Sequence, residues 1–273
     1  MPIISITNLD DPRLRHYASL TDIALRSVTE PTEGIYIAES AKVISSALEA
    51  GHTPLSILME ERWVDRITTL LGDDVMNSDL DIFTGKPEVL EQLTGFHVHR
   101  GALAAMNRPT MLDLATVTNG AQRIAVLENI VDHTNVGAIF RSAAALGIDA
   151  IVVTPQCADP LYRRSIRVSM GSVFFIPWTR IDPWPQSMST LHDLGFTTVA
   201  LSPDGHSQSL EDFTNEAHEK IAFVLGTEGE GLTPESLEQC RQRVHIPMSN
   251  GIDSLNVAAA SAVVFWAIRA RNG

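Results

Sequence analysis

The sequence predicts an α/β protein built in two units, and three observations carry that prediction. In the C-terminal half, short apolar and often β-branched runs alternate with helical stretches, the pattern of a mostly parallel sheet covered on both faces. The first hundred or so residues alternate in the same way on a smaller scale, and turn chemistry at Asn107-Arg108-Pro109-Thr110 and Thr118-Asn119-Gly120 separates the two stretches. A length of 273 residues suits one large domain or two modest ones, and 44% hydrophobic against 19% charged residues is the composition of a folded chain.

Asp11 and Pro12 open a predicted helix over residues 11–26, in which Leu14, Tyr17, Ala18, Leu20, Ile23, Ala24 and Leu25 recur at about helical spacing. Ile35-Tyr36-Ile37-Ala38 reads as a strand. A helix over residues 40–50 stops at Gly51, where glycine can take the left-handed cap conformation, and residues 55–59 form the next strand. Further strands are expected at 124–127, 150–153, 197–201, 221–225 and 244–246. The boundaries that follow are residues 1–106 for the first unit, 107–120 for a linker and 121–273 for the second unit.

Lys and Arg total 20 against 33 Asp and Glu, and the net charge of -13 excludes a general polyanion binder that works by overall positive charge. A nucleic-acid partner must be held by a local basic patch. Cys157 and Cys240 are too few for a disulfide framework and lack metal-ligand spacing, so they read as inert thiols. The N-terminus MPIISITNLDDPRLRHY has no secretory pattern, and the apolar stretch 258–268 is far short of the roughly 18 to 20 residues that cross a bilayer. A soluble cytoplasmic protein with no membrane partner is the expectation.

Three motifs carry chemistry. The first, LENIVDHTNVGAIFRS over residues 127–142, ends a strand, offers Asn135 as a helix cap, and places one permanent charge, Arg141, in an otherwise apolar helix. A buried guanidinium is costly, so Arg141 must reach a carboxylate, an anionic ligand or solvent; alone it reads as a structural ion pair or a catalytic arginine. The second, GTEGEGL over residues 226–232, is neither a Walker loop nor GxGxxG, and its two glutamates would repel a pyrophosphate. Alone it is a ligand loop or a strand-to-helix turn. The third, IPMSNGIDSLNVAAA over residues 246–260, starts a helix near Ser254, a natural N-cap, with Asn256 in the first turn.

Together and in this order, the motifs resemble the signature motifs of the SpoU, or TrmH, family of RNA ribose methyltransferases, and the first unit resembles the L30e-like substrate-binding domain that often precedes that catalytic domain. The resemblance implies a SPOUT fold with a deep trefoil knot, and S-adenosylmethionine held mainly by backbone groups at Leu225, Gly226, Ile246, Met248 and Leu255. It implies transfer of a methyl group to a ribose 2'-hydroxyl of structured RNA, ribosomal RNA ahead of transfer RNA, without a metal. Arg141 would stabilise the developing alkoxide. Asn135, Ser254 and Asn256 would position Arg141, the ribose and the knot loops, and Glu228 would orient Arg141.

Arg163, Arg164 and Arg167 match a family segment placed near RNA, and Arg163 and Arg167 share a helical face; an ordinary solvated face would look the same. Arg13, Arg15, Arg100 and Arg108 could extend the track. Relatives commonly carry a basic run before the first strand and Glu-Gly after it, whereas here the chain reads Arg26-Ser27-Val28-Thr29-Glu30 and later Glu39-Ser40. Family members are usually homodimers, and the helix 257–268 with Phe265 and Trp266 suits either that interface or a buried core. Two other classes stay open: a noncatalytic RNA-binding or ribosome-assembly factor of the same fold, and a doubly wound nucleotide enzyme. The latter needs a glycine fingerprint that Asn135-Val136-Gly137 does not supply.

Overall fold

The structure is a computed structural model that describes residues 2–76, 79–98, 101–203 and 207–269; Arg100 lies outside them. The chain divides into one unit of Met1–Thr110 with Leu161–Arg167 and a second of Met111–Pro160 with Val168–Gly273. No helix among the described residues is long and apolar enough to cross a membrane.

The first unit runs β1 (Ile3–Ser5), α1 (Ile23–Thr32), β2 (Ile35–Glu39), α2 (Ala41–Glu49), β3 (Pro54–Glu60), α3 (Val64–Met76), β4 (Asp81–Gly85), α4 (Pro87–Thr94) and β5 (Ala102–Asn107). Its sheet has the order β1-β4-β3-β5-β2, parallel on the β1-β4-β3 side and antiparallel where β5 meets β3 and β2. All five residues of β2 are buried, which is why it reads as a continuous apolar run. Leu14, Tyr17, Leu20, Leu58, Phe83 and Leu103 pack in the core. The Tyr17 hydroxyl meets the Ser56 hydroxyl at 2.8 Å and accepts the Ala105 amide at 3.2 Å, so its polar end is satisfied inside that core.

The helix expected over residues 11–26 is broken. A short 3-10 turn spans Pro12–Tyr17, capped by Asp11, and α1 begins only after its own cap, Asp22. Between them the Ser19 and Leu20 amides donate to the Leu93 and Thr94 carbonyls, and Ser19 takes φ +52°. Long-range bonds to the end of α4 thus outcompete the local helical ones. Gly51, by contrast, takes φ +83° just after α2, as a left-handed stop requires.

The second unit runs α5 (Leu114–Val117), β6 (Arg123–Leu127), α6 (His133–Leu146), β7 (Ala150–Val153), α7 (Arg163–Ser169, most of which groups with the first unit), β8 (Trp178–Arg180), α8 (Met188–Asp193), β9 (Thr197–Leu201) and β10 (Gln208–Ser209). It ends with α9 (Leu210–Thr214), β11 (Ile221–Leu225), α10 (Pro234–Gln239), β12 (Gln242–His245) and α11 (Val257–Ile268). Among the described residues its seven strands form one all-parallel sheet, ordered β10-β12-β9-β11-β6-β7-β8. The α/β class is as predicted. β12 stops at His245, one residue short of the expected 244–246, and the short β8 and β10 were not foreseen. The order reverses between β6 and β11, so the crevice beyond their carboxyl ends is where an open parallel sheet receives a ligand.

Candidate active site

The loops that follow β9, β11 and β12 converge with the start of α11 around a cavity of about 390 Å3. Leu225, Gly226, Ile246, Met248 and Leu255 all line it, as do Glu228, Ser254 and Asn256. The loop after β11 is pinched: the Thr227 and Gly231 amides each donate to the other's carbonyl at 3.1 Å. A Cβ on Gly226 would stand 2.3 Å from the Gly231 carbonyl carbon, so only glycine permits the crossing.

Asn256 is the N-cap of α11, its Oδ1 accepting the Ala258 and Ala259 amides at 2.9 and 3.3 Å. The helix therefore starts at Val257, not near Ser254, which lies exposed in the preceding loop. With Oδ1 committed to the cap, Asn256 Nδ2 donates to Asn135 Oδ1 at 3.1 Å and to Glu228 Oε1. Asn135 Nδ2 donates to the same Glu228 oxygen at 3.0 Å. One residue from each motif thus closes a hydrogen-bonded triangle. Asn135 is free for it because Asp132, not Asn135, caps α6, accepting the Thr134 and Asn135 amides at 2.5 and 3.2 Å. A carboxylate is the stronger acceptor at a helix N-terminus.

Residues 122–266 match the SpoU rRNA Methylase family. The chain belongs to that family. The family's activity is transfer of a methyl group from S-adenosylmethionine to a ribose 2'-hydroxyl of RNA, and the chain is an enzyme of that class. An uncharacterized tRNA/rRNA methyltransferase of Mycobacterium bovis is 39% identical over 100% of this chain and 93% of its own length. A 23S rRNA (guanosine-2'-O-)-methyltransferase RlmB of Photobacterium profundum is 26% identical over 78% of this chain and 88% of that one. In fold, this SpoU-family chain resembles an AdoMet-bound rRNA methyltransferase from Sinorhizobium meliloti, with TM-score 0.82, 20% identity and 97% of each chain covered. It likewise resembles the SpoU methyltransferase AviRb of Streptomyces viridochromogenes in complex with AdoMet, with TM-score 0.78, 21% identity, and 94% and 97% covered.

No hydrogen bond or ion pair joins Glu228 to Arg141 in this SpoU-family chain. Glu228 Oε1 accepts from the two asparagine amides, and Arg141 is exposed on α6, where among the described residues it makes no hydrogen bond or ion pair. Its guanidinium reaches solvent, so no burial cost arises. Arg163 and Arg167 do share a helical face, but that face meets a buried carboxylate: Glu39 Oε2 lies 2.6 Å from Arg163 and 3.7 Å from Arg167. Arg163 also stacks 4.3 Å from the Phe96 ring centroid, while Arg164 is exposed. Arg13 pairs with Asp11 and Asp81, and Arg15 with Glu33. Arg108 donates to the Ile35 carbonyl.

Sequence reasoning missed Glu128, which is fully buried directly after β6, and Trp184, whose indole reaches it. The available signal was an acidic residue closing a run of apolar ones, LEN, at a strand end. It also passed over His245 and Asp253, both of which line the cavity.

Proposed function

We propose that the chain methylates a ribose 2'-hydroxyl of a structured ribosomal RNA, with S-adenosylmethionine bound in the cavity between the loops after β9, β11 and β12. The observation that carries this reading is the Asn135–Glu228–Asn256 triangle, which ties the first motif to the two that line that cavity through Glu228 and Asn256. The residues present fit the cofactor. Leu225, Ile246, Met248 and Leu255 offer apolar surface for an adenine, and the pinched glycine loop exposes backbone groups. No arginine or lysine lines the cavity among the described residues, which suits a ligand without phosphate.

S-adenosylmethionine, when bound, supplies a methyl group activated on a sulfonium. Arg141 stands six residues beyond Asn135 on the same helix, exposed and unpaired among the described residues, available to a ribose arriving from solvent. Its permanent charge favours the alkoxide that develops on the 2'-oxygen, so its contribution is realised in the transition state. Asn135 and Asn256 keep Glu228 and the two loops in register, and Ser254, exposed in the loop before α11 and lining the cavity, is available to the ribose. Arg164, exposed beside the paired Arg163 and Arg167, is available to an RNA phosphate. The choice of ribosomal over transfer RNA rests on likeness to relatives such as the 23S rRNA methyltransferase RlmB. A homodimer, in the cytoplasm with its RNA, completes the proposal; α11 leaves Val263 and Trp266 exposed for the interface.

Arg141→Ala is expected to lower methyl transfer by about 100-fold or more while S-adenosylhomocysteine affinity stays within about twofold. Turnover at the wild-type rate on the true RNA would overturn the assignment. That RNA is found by mapping 2'-O-methylation in cells with and without the protein; an unchanged map would favour the noncatalytic RNA-binding reading.

A further inference from the structure

We infer that Glu128 is a positioning residue that clamps the 226–232 loop at both ends and so sets the affinity of the cavity for the methyl donor. The inference rests on the reading of that cavity as the donor site. Glu128 is the first residue past β6, and its amide donates to the Leu225 carbonyl at 2.8 Å, which fixes the residue that enters the loop. Its side chain reaches the other end: Oε1 accepts the Thr233 amide, the residue that leaves the loop, at 2.7 Å. The second oxygen accepts the Trp184 indole N–H at 2.7 Å.

These contacts hold the two feet of a loop whose middle is held by its own pinch between Thr227 and Gly231 and by the Asn135 and Asn256 amides on Glu228. Glu128 and Ser236 are each fully buried, and Ser236 ties the same corner together: its hydroxyl accepts from Trp184 at 3.0 Å and from the Thr233 hydroxyl at 2.9 Å. Thr233 in turn caps α10. Both Glu128 oxygens accept from N–H donors, and no ion pair to it forms among the described residues. A glutamine here has one acceptor oxygen for two donors, and its amide would confront an N–H. The loop would lose a foot, and Gly226 and Glu228, which line the cavity, would lose their fixed positions.

The test compares Glu128→Gln with Trp184→Phe, which removes the indole donor but leaves the clamp on Thr233. Calorimetry with S-adenosylhomocysteine should show about tenfold weaker binding for Glu128→Gln and a change within about threefold for Trp184→Phe, although both lower Tm. In the methylation assay the Glu128→Gln effect should fall on KM for S-adenosylmethionine, with kcat within about twofold of wild type. Equal affinity for wild type and Glu128→Gln, or an equal loss in both variants, would overturn the clamp. Lack of binding by the wild-type protein would instead remove the reading of the cavity. Amide exchange in the wild type bears on the clamp even if the variant does not fold. Thr233 should be protected in the free protein while the amides of residues 228–230 exchange fast, and fast exchange at Thr233 would overturn the inference.

Discussion

Cys157 and Cys240 sit close to the framework of the site, yet neither has the surroundings of a nucleophile. The Cys157 thiol donates to the Leu127 carbonyl at 2.8 Å and accepts the Ile130 amide at 3.2 Å, and burial pushes its pKa up. Burial pushes the Cys240 thiol up to about 12. The thiolate is the reactive form, so both cysteines should resist iodoacetamide at about pH 8 in the native protein and react only on denaturation. Intact-mass measurement checks this, and one label on the folded chain would count against it. Asn256 shows the same economy of single groups. Its Oδ1 must face the Ala258 and Ala259 amides to cap α11, so its Nδ2 is left to donate into the triangle. One side chain therefore starts a helix and joins three motifs. Arg141, outside the triangle, is left with an exposed guanidinium.

The 226–232 loop fails or holds as an element. A Cβ at Gly226 would meet Gly231 and Leu232 backbone atoms at 2.3 to 2.5 Å, and backbone cannot yield as a flexible side chain can. Gly226→Ala should therefore cost at least about 1–3 kcal/mol of stability and most of the S-adenosylhomocysteine affinity. Gly229 makes a useful reference, because it has φ +87° but open space around it, so Gly229→Ala carries backbone strain without collision. Urea denaturation of the two variants separates them; if Gly226→Ala proved as stable as Gly229→Ala, the crossing would not be as tight as described. At this scale the central strands and α11 were legible in the sequence, since apolar runs buried on both faces carry their own signal. The break at Ser19 was not, because its cause is a pair of hydrogen bonds to Leu93 and Thr94 far along the chain. The two-residue β10 is too short for any periodicity to register.

At the scale of the whole molecule, three histidines among the described residues are held away from protonation. Burial lowers the pKa of His16, His52 and His192 below the ordinary 6.5, with Arg15 reinforcing it at the first and Arg241 at the last. The unfolded chain titrates near 6.5, so it binds protons first as the pH falls. The stability these groups contribute is complete above 6.5 and is lost as pH drops through their folded pKa values. The net charge of -13 acts in the opposite sense, because acidification relieves self-repulsion. A difference measurement cancels that background. Wild type should lose more Tm than His192→Gln between about pH 7.5 and about pH 5.5, and equal losses would show that His192 is not the sensitive group.

The sequence by itself determined the α/β class, the central strands and the three motifs that mark the family, because each is written within a few neighbouring positions. The three motifs are such local signals, and so are the glycines that let a loop cross itself. The tertiary structure alone decided who meets whom. Asn256 and Asn135 are 121 positions apart and Glu228 and Asn135 are 93, and only the converging loop ends bring them within hydrogen-bond distance. The same holds for Arg163 against Glu39, 124 positions away, and for Glu128 against Thr233, 105 away. A charged or polar side chain reveals in sequence that it needs a partner, but the partner is chosen by the packing of elements distant in the chain. The sequence alone pairs Arg141 with Glu228, whereas in the folded protein Glu228 Oε1 meets two asparagines.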